Sequence, residues 1–334
     1  MSFNLIDAEN KIMHFLSEHH IASSPIDIVR GQSGSNNRNY HIKTAHQDFL
    51  LKEYFVHPDD SRDRMQTEWA FSHYAFSVAP HAVPKPYYVD VKNHFVLFDY
   101  IHGTSFHNTK ITWNEVEKAI AFFLEINRDR QDATHLPIAS DAAFSIEVHI
   151  QKIEARLAKL NDIKAHEKLQ SILHIMNTKW RAIQSALGKT DAFLHHSTLS
   201  QAQYCLSPSD FGFHNALKKE NGEIVFFDFE YAGWDDPAKM ACDFFTQVQV
   251  PVPFEFFEKF LSATMVIFPD HDRLIDRAIV LRSLFIMKWC CIVLNVFLPT
   301  HFSRRQFANG AEDQHALCEI QLYKAQHLLE SINE

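Results

Sequence analysis

Glycine is scarce in this chain, eight residues in 334, and the one Gly-Lys-Thr does not make a P-loop. That motif needs a glycine five positions before Gly188, and Ile183 stands there, so Gly188 to Thr190 reads as a helix end. The five cysteines are odd in number and form no Cys-x-x-Cys, which fits reduced thiols in a cytoplasmic protein. The 22 histidines include no His-Glu-x-x-His and no Cys/His cluster at zinc spacing, so no zinc is expected. A net charge of −9 leaves no basic excess for a dedicated nucleic-acid surface. No basic segment precedes an apolar run at the N-terminus, so no signal peptide is expected. The most apolar stretch, Ile279 to Leu298, is interrupted by Arg282 and Lys288 and fits a buried helix rather than membrane insertion.

What is present is an ordinary globular composition, 46% hydrophobic and 22% charged, long enough for two lobes with separate cores. Ala8 to His19 places Ile12, Phe15 and Leu16 on one side of a helix. Five strands are expected at Ile26–Arg30, Asn39–Lys43, Phe49–Phe55, Tyr87–Val91 and Phe95–Tyr100. The small polar loop between the first two contains Ser33, Gly34 and Ser35. Its backbone amides can approach phosphates, although it is no G-x-G-x-x-G and an ordinary hairpin connection has the same look. Lys52 shares a strand face with Leu50 and Tyr54, where an ammonium either snorkels or meets phosphate. Asp59-Asp60-Ser61 then offers capping chemistry for a helix from Arg62 to Phe76, with Glu68 beside Phe71 and Ala75. From Thr112 onward the periodicity is helical: Asn114–Arg130, Phe144–Leu160, Ala165–Leu187, Pro253–Phe268, Asp270–Leu298 and Arg304–Ile332.

Within this helical half, Leu206 to Tyr231 stands out. It carries Asp210, Asn215 and Asp228, with a hairpin signal at Asn221-Gly222 and an apolar run from Ile224 to Phe229. Two carboxylates and a carboxamide on short paired strands can hold Mg²⁺ and orient a hydroxyl, the needs of phosphoryl transfer. Asp210 and Asn215 alone can equally make a turn that bonds its own backbone. Asp228 inside Val-Phe-Phe-Asp-Phe needs a cationic or hydrogen-bonded partner.

The segment resembles the catalytic stretch of the aminoglycoside phosphotransferase and choline kinase superfamily, whose pattern is close to H-G-D-x-x-x-x-N followed by an apolar strand ending in Asp-Phe. Here Asp210, Asn215 and Asp228-Phe229-Glu230 match, while Pro208-Ser209 replaces His-Gly. Phe98 to Gly103 is similar to the family's lobe connector, and Asp236-Pro237 with Asp243 matches a later part of its pattern.

The resemblance implies an α+β, two-lobed protein-kinase-like fold, with a small N-lobe built on a five-stranded antiparallel sheet (residues 1–101) and a larger, mainly helical C-lobe (102–334). It implies ATP and Mg²⁺ as cofactors and a hydroxyl of a small molecule, such as a sugar, amino alcohol or aminoglycoside, as acceptor. Lys52 would meet the phosphates, with Glu68 fixing it and Asp99 and Ile101 offering main-chain atoms to the base. Asn215 and Asp228 would hold the metal, and Asp210 would be the catalytic base. Glu230 and Asp235 are candidates to face the acceptor. Asp236 is expected to cap the helix that Pro237 begins, and Asp243 to brace the catalytic loop. Loss of the motif histidine leaves open a nucleotide-binding pseudokinase without turnover. Ser207 or Ser209 is the candidate replacement for the lost hydrogen bond.

Overall fold

The computed structural model describes residues 5–21, 27–31, 37–56, 62–164, 166–190, 198–299 and 314–333. Helix α1 (Leu5–Glu18) is followed by β1 (Asp27–Arg30), β2 (Asn37–Lys43) and β3 (Asp48–Tyr54), then α2 (Arg64–Val78), β4 (Pro86–Asp90) and β5 (Phe95–Asp99). All pairings are antiparallel and the spatial order is β1-β2-β3-β5-β4. The five expected strands are thus present, each within two residues of the limits read from period-2 alternation.

Alternation gives the sheet two different faces. Tyr40, Ile42, Phe49, Leu51, Phe95 and Leu97 point to one side and pack on Ile12, Phe15 and Leu16 of α1. Leu50, Tyr54, Val96 and Phe98 point to the other and meet Met65 and Trp69 of α2. Lys52 lies on this second face, because antiparallel partners share a face and its partners are Asn39 and Val96. Helix α2 starts at the N-cap Asp63, whose side chain accepts from the Gln66 N–H at 3.0 Å. The expected caps Asp59 to Ser61 lie outside the described residues, as do Ser33, Gly34 and Ser35.

The second part of the chain contains α3 (Trp113–Arg128), α4 (Ile146–Asn161), α5 (Glu167–Leu187), α6 (Pro237–Thr246), α7 (Phe257–Met265), α8 (His271–Leu294) and α9 (Gln314–Glu330). Short strands lie among them: β6 (Thr104–Ser105), β7 (Cys205–Ser207), β8 (Ala216–Lys218), β9 (Ile224–Phe226) and β10 (Gly233–Asp235). Phe71, Tyr74 and Ala75 of α2 join the apolar core of this part. Burial of that face of α2 therefore ties a helix of the first hundred residues to the helical lobe.

Helix α8 lies in a span long and apolar enough to cross a bilayer, with a mean hydropathy of 1.9 over its best window. Here it packs against α4, α5, α6, α7 and α9, with 61% of that window buried. Its Arg277 and Lys288 are buried against Asp236 and Asp243, so these two charges are paired within the protein. The five cysteines are all buried and unbonded to one another.

Strand β7, which leads into Asp210, is held by a residue the sequence did not single out. Asn127 of α3, 3% exposed, donates to the Leu206 carbonyl at 2.9 Å and accepts its N–H at 2.8 Å. Both backbone groups would lose their partner in Asn127→Ala. Urea unfolding of that variant is expected to show a loss of about 2–4 kcal/mol.

Candidate active site

Three segments meet at Lys52. Its ammonium donates to Glu68 Oε2 at 2.6 Å and also to Asp228 Oδ1. Glu68 sits on the inward face of α2, 3% exposed, and accepts two further hydrogen bonds. One comes from the Tyr54 hydroxyl at 2.5 Å and the other from the Phe229 N–H at 3.3 Å. Glu230 completes the group, with carboxylate oxygens of Glu68, Asp228 and Glu230 all within 4.8 Å of one another. Such a cradle calls for a cation, and Lys52 supplies one. Burial works against its charge, but Asp228, Glu68 and Glu230 together raise its proton affinity well above the ordinary lysine range. Burial pushes Glu68 the same way, upward, against the pull of Lys52 and Tyr54.

The resemblance leads to the expectation that Glu230 faces the acceptor. Its side chain is instead 2% exposed and accepts from Asn37 Nδ2 at 2.7 Å, with Arg64 Nη1 at 3.9 Å. It ties the segment after Asp228 to the first residue of β2 and the first residue of α2. Asp235, the other acceptor candidate, is fully buried and bound to Lys239 Nζ at 2.6 Å. Both placements correct the expectation. Nearness in sequence to the catalytic loop did not reveal the direction of either side chain.

Asp210 lies in a loop anchored by the phenylalanines that follow it. Phe211 and Phe213 point into an aromatic pile with Phe226 and Phe244, so Asp210 beside them is held at the edge of the core. Asp210 keeps 33% of its side chain exposed. His214 Nε2 lies 3.2 Å from Asp210 Oδ1, and Asn215 Nδ2 donates to the Asp210 carbonyl at 3.0 Å. Burial opposes ionisation of Asp210, but His214, the Asn215 amide and Lys288 hold its carboxyl below the usual carboxylate range. His214 can come this close because residue 212 is glycine. A Cβ there would stand 2.8 Å from the imidazole Nδ1.

The motif positions held by Pro208-Ser209 have a local brace. Ser207 Oγ, fully buried, accepts the Ser209 N–H at 2.9 Å, and the Pro208 carbonyl accepts the Asp210 N–H at 2.9 Å. Ser209 has φ +66°, a left-handed backbone that glycine adopts more freely. Ser207 is thus the residue that braces the loop.

Asn215 and Asp228 are brought together by the β8–β9 hairpin. Ala216 pairs with Phe226, and the Phe227 N–H donates to the Asn215 carbonyl at 3.0 Å. Asp228 lies just past the strand, not within it, with φ +68° and 30% of its side chain exposed. Among the described residues the Asn215 side-chain oxygen has no hydrogen-bond donor, its amide nitrogen being the group used by Asp210. A carboxylate and a carboxamide oxygen are hard donors of the type Mg²⁺ takes, so the donor set fits that ion.

At the connector, the Asp99 N–H is committed to the Lys85 carbonyl at 2.9 Å and the Tyr100 N–H to the Asp48 carbonyl at 3.2 Å. Among the described residues the Ile101 N–H has no acceptor. Asp99 is left to offer its carbonyl and Ile101 its N–H.

Beneath the loop, Asp236 caps α6 by accepting the Ala238 N–H at 2.8 Å, as expected, with Pro237 in the first turn. It also accepts from Arg277 Nε at 3.0 Å and Nη2 at 2.8 Å, and lies 3.2 Å from His149 Nε2. Asp243, expected to brace the catalytic loop, instead binds Lys288 at 2.6 Å and the Trp289 indole at 2.8 Å. It holds α6 to α8. Burial works against the Asp236 charge, yet Arg277 and His149 keep its carboxyl far below the usual range. A depressed folded-state pKa means that this stabilisation is complete above about pH 4 and is lost as pH falls through the folded value. Asp236→Asn is expected to cost about 3–5 kcal/mol at pH 7 by leaving Arg277 with an uncharged partner. Denaturant titrations from pH 7 down to pH 3 should show the gap to wild type narrowing.

Known proteins place this geometry. A model of the phosphotransferase enzyme family matches residues 27–273, well over half of the chain. A search of curated protein sequences found no match. Among solved structures, a choline/ethanolamine kinase family protein from Mesorhizobium loti is similar with a TM-score of 0.56 at 15% identity, covering 95% of each chain. The choline kinase LicA from Streptococcus pneumoniae gives 0.58 at 15% identity over 97% of this chain and 99% of its own. A spectinomycin phosphotransferase, solved with ADP and spectinomycin, gives 0.60 at 12% identity over 96% and 98%. These likenesses establish a kinase-like fold of the aminoglycoside phosphotransferase and choline kinase type. With the match over residues 27–273 and this fold agreeing, the chain belongs to the phosphotransferase enzyme family.

Proposed function

We propose that this protein transfers the γ-phosphoryl group of ATP to a hydroxyl of a small molecule. The observation that carries the reading is the meeting of Lys52, Glu68 and Asp228 beside a loop that presents an ionised Asp210. Solution of one structural neighbour with ADP supports ATP as donor. Lys52, held by Glu68 and Asp228, is placed to neutralise the donor's phosphates. Asp228 and Asn215 are the residues that would hold Mg²⁺, which when bound supplies charge neutralisation between phosphates. Asp210, kept ionised at neutral pH, aligns the acceptor hydroxyl and takes its proton as the oxygen bonds to phosphorus. The bond broken is that between the γ-phosphorus and the bridging oxygen, and ADP leaves with that oxygen's electron pair. His214 Nε2 at 3.2 Å and Asn215 Nδ2 at 3.4 Å hold the Asp210 carboxylate in place, so most of the rate comes from positioning.

The acceptor is a sugar, an amino alcohol or an aminoglycoside. A cationic acceptor would not be met by Glu230 or Asp235, since both are buried against protein cations. Five unpaired buried thiols agree with a cytoplasmic location. A screen for ADP release over these three acceptor classes, wild type beside Asp210→Asn, tests the reading. Acceptor-dependent ADP release that the variant lacks supports it. Mg²⁺-ADP binding without turnover on any acceptor would instead indicate a pseudokinase.

A further inference from the structure

The face of the helical lobe formed by α5 and α9 takes no part in the reaction above. Between the two helices runs a groove of about 720 Å³. Its floor is apolar, with Ile172, Leu322 and Leu329 buried there. Ile175 and Tyr323 also line it but remain 43% and 74% exposed. One exposed apolar side chain needs no explanation, whereas two that line the same apolar groove make a patch.

The four charged residues that line the groove are sorted by helix. Lys168 and Lys179 come from α5, and Glu319 and Glu330 from α9. Each pair is eleven residues apart in sequence, about three helical turns or roughly 16 Å along a single helix face. Lys168 Nζ meets Glu319 Oε2 at 2.7 Å, and from that pair the groove runs towards the C-terminal ends of both helices. One long edge is therefore positive and the other negative, with matched spacing.

We propose that this groove is an interface, occupied by a second copy of the chain related by a two-fold axis parallel to α5 and α9. Such an axis turns the positive edge of one copy over the negative edge of the other, and the reverse, along the whole groove. An axis across the helices would instead set like charges together, so the rim admits one orientation. Pairing of one patch with itself is the usual geometry of a homodimer. Tyr323 and Ile175 supply the apolar contact, which carries most of the affinity in such a patch. Exposed ion pairs are individually weak, so the charges act mainly on orientation and partner choice.

The test is sedimentation velocity on the full chain across about 1–100 μM, the weak end of the range for specific interfaces. Wild type should pass from monomer to dimer in that range. Tyr323→Glu should weaken association by about 30-fold or more, the loss expected for a central aromatic anchor. Two charge-reversed forms separate the rim from folding. Lys168→Glu with Lys179→Glu makes both edges negative, and Glu319→Lys with Glu330→Lys makes both positive. Each double variant should self-associate at least about ten-fold more weakly than wild type, and the two should pair with each other when mixed. Wild type that stays monomeric would give the groove to another occupant, a different protein or an amphiphile, and would overturn the proposal. Tyr323→Glu that dimerises as tightly as wild type would place any interface elsewhere and overturn it too. So would a mixture of the two double variants that fails to pair while each keeps its helical circular dichroism.

Discussion

Asp210→Asn is expected to lower turnover by about 10²- to 10⁴-fold while ATP affinity and thermal stability stay close to wild type. The carboxamide is nearly isosteric with the carboxylate and can still accept from His214, which lies 3.2 Å from Oδ1. The aromatic pile that seats the loop, Phe211 and Phe213 on Phe226 and Phe244, is untouched. What disappears is the negative charge proposed to take the acceptor's proton. Because His214, Asn215 and Lys288 hold the Asp210 pKa low, the wild-type base is already ionised throughout the neutral range. Its own titration should therefore not limit activity between pH 6 and 8, and the variant's deficit should be flat across that window. Steady-state kcat, KM for ATP and melting temperature, measured on the same preparations, check the three parts together.

Lys52→Met should have the second large effect, and it divides between catalysis and stability. Loss of the ammonium removes the charge proposed to meet the donor's phosphates, with an expected fall of about 10²- to 10³-fold in kcat/KM for ATP. It also leaves Glu68, Asp228 and Glu230 clustered without the cation that bonds the first two. Breaking such a buried arrangement costs about 3–5 kcal/mol. The sign of its pH dependence is distinctive. Burial already holds the Glu68 carboxyl up at about 7, above its unfolded value, and loss of Lys52 removes the neighbour that most lowers it. The folded protein then binds more protons, so the variant should gain stability relative to wild type as pH is lowered from 8 towards 5. Glu68→Gln, which removes one negative charge and keeps the shape, should partly restore the stability of Lys52→Met without restoring its activity. Urea titrations at the two pH values, with the single and double variants, measure this coupling.

The strands and helices were largely legible because alternation and 3.6-residue periodicity follow directly from which face is buried. Lys52 and Glu68 were readable for the same reason. One sits on a strand face, the other beside Phe71 and Ala75 on a helix face, and those faces turn towards each other. Asn215 and Asp228 were linked by the hairpin signal at Asn221-Gly222, whose glycine has φ +85°. What could not be read were directions taken where the backbone leaves regular structure. Ser209 and Asp228 both have positive φ, and past each of them a two-residue period no longer tells which way a side chain points. Glu230 follows such a residue and turns into the interior, to Asn37 and Arg64.

The partners that distant segments supply were also invisible. Tyr54 on Glu68, Asn127 on Leu206 and Arg277 on Asp236 have no local spacing that announces them. His214 is the exception. Its position four residues after Asp210, with a glycine between, was a signal available in the sequence.

The proposed reaction moves phosphate from ATP to an alcohol oxygen in the site that holds Asp210. Phosphorus NMR of the wild-type reaction with Mg²⁺-ATP and a panel of sugars, amino alcohols and aminoglycosides tests it directly. A phosphomonoester resonance growing in step with ADP, and absent with Asp210→Asn, is the predicted result. ADP accompanied only by inorganic phosphate, or an ester formed equally by Asp210→Asn, would contradict it.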